Sequence, residues 1–140
     1  MTTVHFKTNS GENNTRRFNK NEGVSVYGKC TGVTGIYEPG THVRIDITKN
    51  GMPVYFDETN TDVFGDYDFY FRTPNDDTNL DLKIISTYSI SGQDIVNIPL
   101  AVGNANPKPL PNPNPEYSLL NYLPLMVIAI AGIFIYKELK

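Results

Sequence analysis

The chain predicts an all-β fold, an antiparallel β-sandwich, followed by one C-terminal transmembrane helix. Three observations carry this expectation. Short segments between residues 24 and 103 alternate apolar and polar side chains with a period of two, the pattern of strands buried on one face. Gly, Pro, Asn and Asp turns separate these segments, and no helical period occurs before residue 117. An uncharged apolar run then extends from Leu119 to Tyr136, with Lys137, Glu138 and Lys140 directly after it. Amphipathic strands without helices to cover them must bury their apolar faces against one another, which gives two packed sheets.

Residues 1–23 read as a polar N-terminal arm. Val4 and Phe6 offer at most one short strand, and Ser10 to Gly23 is rich in Asn, Lys, Arg, Glu and Gly, with Phe18 its only large apolar group. Such a composition buries too little apolar surface to order by itself. Residues 24–103 form the sandwich domain. Val24 to Cys30 is its first strand, with Cys30 in phase with Val24 and Val26 and so expected inside as a small apolar side chain. In His42 to Thr48, Val43, Ile45 and Ile47 alternate with His42, Arg44, Asp46 and Thr48. Asn50-Gly51 suits a two-residue type I′ hairpin, because both residues tolerate positive φ. Val54 and Phe56 continue the return strand, and Pro53 marks it as an edge. Tyr67, Phe69 and Phe71 point inward from the next segment, with Asp66, Asp68 and Tyr70 outward. Leu80, Leu82 and Ile84, then Val96, Ile98, Leu100 and Val102, complete six or seven strands.

This pattern resembles a bacterial or archaeal immunoglobulin-like domain, or the transthyretin-like domain of related architecture. The residues that carry the likeness are Val24-Ser-Val26 leading to Gly28, the Pro39-Gly40 turn before Val43-x-Ile45-x-Ile47, the Asn50-Gly51 hairpin with Val54, and Gly65-Asp-Tyr67-x-Phe69. It spans about Val24 to Val102. The resemblance implies a noncatalytic spacer, an adhesion module or an assembly subunit.

Residues 104–116, NANPKPLPNPNPE, form a spacer in which repeated proline excludes helix and sheet. As polyproline II, at about 3.1 Å per residue, it would reach roughly 40 Å. Residues 117–136 are the expected membrane helix. Its anchor residues are Leu119, Leu120, Leu123, Leu125, Met126 and Val127 in the first half, and Ile128, Ile130, Ile133, Phe134 and Ile135 in the second. About 20 apolar residues cross roughly 30 Å of hydrocarbon, and each Leu, Ile, Phe or Val at the centre favours insertion by about 0.3 to 0.6 kcal/mol. Tyr117, Tyr122 and Tyr136 bracket the run as interfacial aromatics, and residues 137–140 are a charged tail. No apolar signal segment opens the chain, which favours a tail-anchored topology, whereas Lys137 and Lys140 favour a cytosolic C-terminus.

Charge separates along the chain. Residues 1–23 hold Lys7, Arg16, Arg17 and Lys20 against Glu12 and Glu22, whereas residues 24–103 hold five cations against eleven carboxylates. An acidic domain of this kind does not suit nucleic acid, which needs a basic surface. No constellation of nucleophile, acid and base is legible, no cofactor motif occurs, and no small-molecule substrate is implied. His5 and His42 lack metal-ligand spacing. Asp57, Glu58, Asp62, Asp66 and Asp68, with Asp76, Asp77 and Asp81, have the chemistry of calcium ligands, although turn-forming and outward-facing aspartates explain them as well. Asn13-Asn14-Thr15 fits a glycosylation acceptor. The cluster Arg16, Arg17, Phe18 and Lys20 is the expected partner-binding element: three cations for an acidic subunit and one ring as an apolar anchor. The expected function is non-enzymatic: to link a lipid bilayer to neighbouring subunits of a protein assembly, as a minor capsid protein does in a virus with an internal membrane. The alternatives are a cell-surface adhesion or receptor subunit and an accessory subunit of a membrane enzyme complex.

Overall fold

The computed structural model describes residues 1–38 and 40–111. The expected membrane span at 117–136, the charged tail and Pro39 lie outside the described residues. Within them no helix is long and apolar enough to cross a membrane. Nine strands are described: β1 (His5–Thr8), β2 (Gly11–Glu12), β3 (Arg17–Phe18), β4 (Gly23–Lys29), β5 (His42–Lys49), β6 (Met52–Asn60), β7 (Asp66–Arg72), β8 (Thr78–Thr87) and β9 (Gln93–Val102). All fall in the compact unit Thr2–Pro109. They form a four-stranded sheet in the order β2-β1-β4-β7 and a five-stranded sheet in the order β3-β9-β8-β5-β6. Neighbours are antiparallel except β3 and β9, which run parallel, Arg17 facing Ala101 and Phe18 facing Val102.

The core is what the alternation predicts. Val24 and Val26 of β4, with Tyr67, Phe69 and Phe71 of β7, face Val43, Ile45 and Ile47 of β5, Leu80, Leu82 and Ile84 of β8, and Leu100 and Val102 of β9. Cys30 is buried among them. At Asn50 and Gly51 φ is +53° and +79°, the two left-handed residues that a type I′ turn requires, and the turn sets Lys49 opposite Met52. Pro53 lies on the outermost strand, where its missing N–H costs no ladder bond.

Two expectations are corrected. Residues 1–23 are not a free arm: β1 joins the first sheet beside β4, and β3 extends the second beside β9. Their polar residues are used to build turns. The Asn13 carboxamide accepts from the Thr15 N–H at 2.9 Å and donates to the Arg17 carbonyl at 2.9 Å, while Gly11 and Arg16 take positive φ. Composition measured the cost of these turns but missed the two rings, Phe6 and Phe18, that they bring together edge to face at 5.6 Å inside the core. The Asn13 amide nitrogen that a glycan would need is thus engaged in the fold. Second, the spacer does not leave the domain at residue 104, as described next. On β6, Val54 and Phe56 face outward: a register irregularity between Ile47 and Thr48 shifts the pairing, so that Tyr55 packs on the core, its ring 5.9 Å from Phe71.

Candidate functional site

The two ends of β9 carry different chemistry. At its C-terminal end the arginines at and just before β3 clamp the chain as it departs. Arg16 donates from one guanidinium nitrogen to the Pro99 carbonyl (2.7 Å) and the Lys108 carbonyl (3.0 Å), and Arg17 donates to the Gly103 carbonyl. Asp77 accepts the Asn104 N–H at 3.0 Å and lies 3.8 Å from the Lys20 ammonium, and Asn79 donates to the Asn106 carbonyl at 3.2 Å. These bonds hold residues 104–108 against the sheet. Arg16 and Arg17, half-buried, thus spend hydrogen bonds on their own chain, and Lys20 has an intrachain anion. Phe18, only 2% exposed, cannot serve as an anchor for a partner without unfolding β3. Of the four residues, Arg16 and Arg17 clamp the departing chain, Lys20 lies by Asp77 and Phe18 is in the core.

The opposite end is built from the three loops that join β4 to β5, β6 to β7 and β8 to β9, residues 30–41, 61–65 and 88–92. Each has its own polar fastening. Asp62 caps the second loop, accepting from the N–H groups of Phe64 (2.9 Å) and Asp66 (3.0 Å) around Gly65 at φ +83°. Glu38, only 7% exposed, reaches from the first loop to the third and accepts from Ile90 N–H (2.8 Å), Ser91 N–H (3.1 Å) and the Ser91 hydroxyl. The Ser91 hydroxyl bond, reinforced by the two amides against the opposing effect of burial, holds the Glu38 carboxyl below its ordinary range. Val33 N–H donates to Ser91 Oγ at 3.0 Å, and the Lys29 ammonium sits over the Tyr37 ring at 5.0 Å while bonding the Phe64 carbonyl at 3.2 Å. Beneath the loops lies a buried polar group: Thr2 donates to Ser86 at 2.8 Å and meets Tyr88 at 3.1 Å, and Cys30 Sγ lies 3.4 Å from Ser86. Burial pushes the thiol of Cys30 and the hydroxyls of Tyr67 and Tyr88 up.

On this fastened end stand five large apolar side chains in water: Val33, Ile36, Val63, Phe64 and Ile90, between 63% and 85% exposed. Sequence reasoning passed over them because they break no alternation; they are one or two apolar residues inside a turn. The signal was their occurrence at loop tips, where turn residues are ordinarily polar. Isolated apolar residues on a surface are normal, but here five stand at one end of the sandwich, on loops tied by the Glu38 bonds and by Cys30 N–H to the Gly65 carbonyl at 2.8 Å.

The acidic residues do not converge. Among the described residues no group of three or more His, Cys, Asp and Glu side chains could hold a metal ion. Asp66 pairs with Lys29 (2.8 Å), Asp76 with Lys49 (2.6 Å) and Asp46 with Arg44 (2.9 Å), and Glu58 meets His42 at 2.8 Å. Within these residues the carboxylates serve in turn capping and in single pairs.

No protein-family model and no curated protein sequence matches the chain. Solved structures do resemble it in fold. A superoxide reductase (neelaredoxin) from Ignicoccus hospitalis superposes with a TM-score of 0.54 at 10% identity, over 74% of this chain and 80% of that one. The soluble domain of PmoD from Methylocystis sp. gives a TM-score of 0.51 at 8% identity, over 74% of this chain and 91% of that one. At such identities the likeness is one of fold alone, and the fold is that of a small immunoglobulin-like β-sandwich.

Proposed function

We propose that this protein is a noncatalytic, membrane-tethered linker that holds a neighbouring protein subunit of an assembly at a fixed distance from a bilayer, the role of a minor capsid protein in a virus with an internal membrane. The observation that supports this reading most directly is the opposition of the two ends of β9. Arg16 holds the spacer as far as Lys108 beside Pro99, and the apolar loop end begins before Gln93. The strand from Gln93 to Pro99, at about 3.3 Å per residue, separates them by roughly 20 Å. A tether at one end and a fastened apolar patch at the other is the arrangement a linker needs. The uncharged run from Leu119 to Tyr136 supplies the membrane end.

The test uses the full chain and two variants. Removing residues 117–140 should release the protein from membranes while leaving its β signal intact. Replacing Val63, Phe64 and Ile90 together with serine should leave it membrane-bound and folded but absent from the assembly, measured by sedimentation of detergent-free complexes. Membrane association that survives the truncation, or full incorporation of the serine variant, would remove the reading.

A further inference from the structure

The outer edge of β6 carries an observation that neither the tether nor the loop end uses. β6 is the last strand of the five-stranded sheet, with β5 as its one neighbour there. Just past its end, Thr61 N–H donates to the Thr41 carbonyl at 3.0 Å, continuing the register in which His42 faces Asn60 and Val43 faces Thr59. Hydrogen-bonded and non-bonded pairs alternate along an antiparallel ladder. Thr59, Asp57 and Tyr55 therefore turn their backbone groups toward β5, and Asn60, Glu58 and Phe56 turn theirs away from the sheet. An independent contact agrees: the Glu58 N–H bonds to Asp57 Oδ1 at 2.8 Å instead of to β5.

Half of this edge is guarded. Pro53 has no N–H to offer, and the irregularity at Ile47 and Thr48 disturbs the pairing beside it. Among the described residues no strand pairs with the outer edge from Val54 to Asn60, where the Glu58 N–H and the Asn60 carbonyl are held only by the neighbouring side chains of Asp57 (2.8 Å) and Thr59 (3.4 Å), and Val54 and Phe56 stand exposed on its outer face. β6 holds two carboxylates, Asp57 and Glu58, and no cation. Of the nearby cations, Arg44 is committed to Asp46 through two bonds (2.9 and 3.0 Å) and covers the Phe56 ring at 4.6 Å, and His42 meets Glu58. Asp57 has no cationic partner among the described residues. Pairing with a second copy would bring carboxylates to carboxylates, which disfavours it.

We propose that this edge accepts an extended segment of a partner protein as an added antiparallel strand, and that the segment carries two consecutive basic residues followed by apolar residues at alternate positions. The basic pair falls opposite Glu58 and Asp57, one on each face, and the apolar residues fall beside Phe56 and Val54. Main-chain bonds to Phe56, Glu58 and Asn60 supply affinity, and the side chains supply direction and choice.

The experiment uses the full-length protein in detergent micelles. Its probe is a blocked heptapeptide with two adjacent lysines followed by valines at alternate positions, and its control has glutamates in place of the lysines. Binding of the lysine peptide should slow hydrogen exchange at the amides of Phe56, Glu58 and Asn60 and leave Ile90 and Ser91 unchanged; the control peptide should slow none. Glu58→Pro deletes an outward N–H while sparing the ladder to β5, and should weaken binding at least tenfold. Should that variant fail to fold, Asp57→Lys with Glu58→Lys keeps the backbone donors and should reverse the preference to the glutamate peptide. The proposal is overturned by unslowed exchange at the three amides, by equal binding of both peptides, by undiminished binding to folded Glu58→Pro, or by self-association through this edge in the absence of peptide.

Discussion

Glu38 accepts from two amides and a hydroxyl of another loop while nearly enclosed by protein. Its carboxyl titrates below the ordinary range, so the folded state favours the anion more than the unfolded chain does. The stability it contributes is therefore complete above the unfolded value, about 4.3 for a glutamate, and is lost as pH falls through the lowered folded value. Amide exchange at Ile90 and Ser91 is expected to accelerate in acid ahead of exchange in β5 and β8; Glu38→Gln should accelerate it already at neutral pH. An unchanged exchange rate in that variant would mean that the loops are held by other contacts. Cys30 presents the converse case, a buried thiol beside the Ser86 hydroxyl whose ionisation burial opposes. It should resist thiol reagents until the protein is unfolded with denaturant, and rapid labelling of the native protein would show the loop end to be open. Phe18→Ala removes a fully enclosed ring and should cost about 3 to 5 kcal/mol in a denaturant titration, a loss that an idle tail could not produce.

Among the elements, β3 is the one whose consequences differ most from its composition. Two residues long, it covers β9 where that strand is buried on both faces from Pro99 to Val102. Deleting residues 1–22 would strip Phe6 and Phe18 from the core, with β1 and the clamp on the spacer, and is expected to abolish cooperative thermal unfolding. A truncated protein with an unchanged melting temperature would return these residues to the status of an arm. The contrast with β5 and β7 shows where the sequence was legible. Val43, Ile45 and Ile47, or Tyr67, Phe69 and Phe71, repeat with period two over enough residues to declare both strand and face. β1 to β3 are too short to show a period, and the order of β1 and β3 comes from partners about 20 to 90 residues away, such as Tyr27 and Ala101. β6 is a different case. Its period is intact, but one irregularity in pairing inverts which side chains face the core, and nothing in a single strand announces such a shift. At the site, the cations Arg16 and Arg17 were visible as a cluster, whereas their acceptors are backbone carbonyls, which have no letter in a sequence.

For the whole molecule, tyrosine and phenylalanine at adjacent positions of β7 offer a direct check on the sandwich. Phe69 is enclosed and Tyr70 is 56% exposed, so Phe69→Asp should leave no folded protein at room temperature, because an unpaired buried charge costs more than a domain's net stability can absorb. Tyr70→Asp should stay folded, and equal loss in the two variants would show the sheet facing to be reversed. Beyond stability, the position of β9 bears on how the protein would behave under load. This strand is interior, flanked by β8 on one side over its full length and by β3 on the other near Val102. If a partner holds the loop end while the membrane draws on the spacer, tension runs along the axis of β9, and the hydrogen bonds on both sides, lying across that axis, are strained in shear and must give way together. Pulling the same strand sideways would break them one at a time. A tether attached to an outer strand such as β6 would peel; attached where it is, the domain should resist extension until the whole sheet yields, which gives the linker a mechanical threshold in place of gradual stretch.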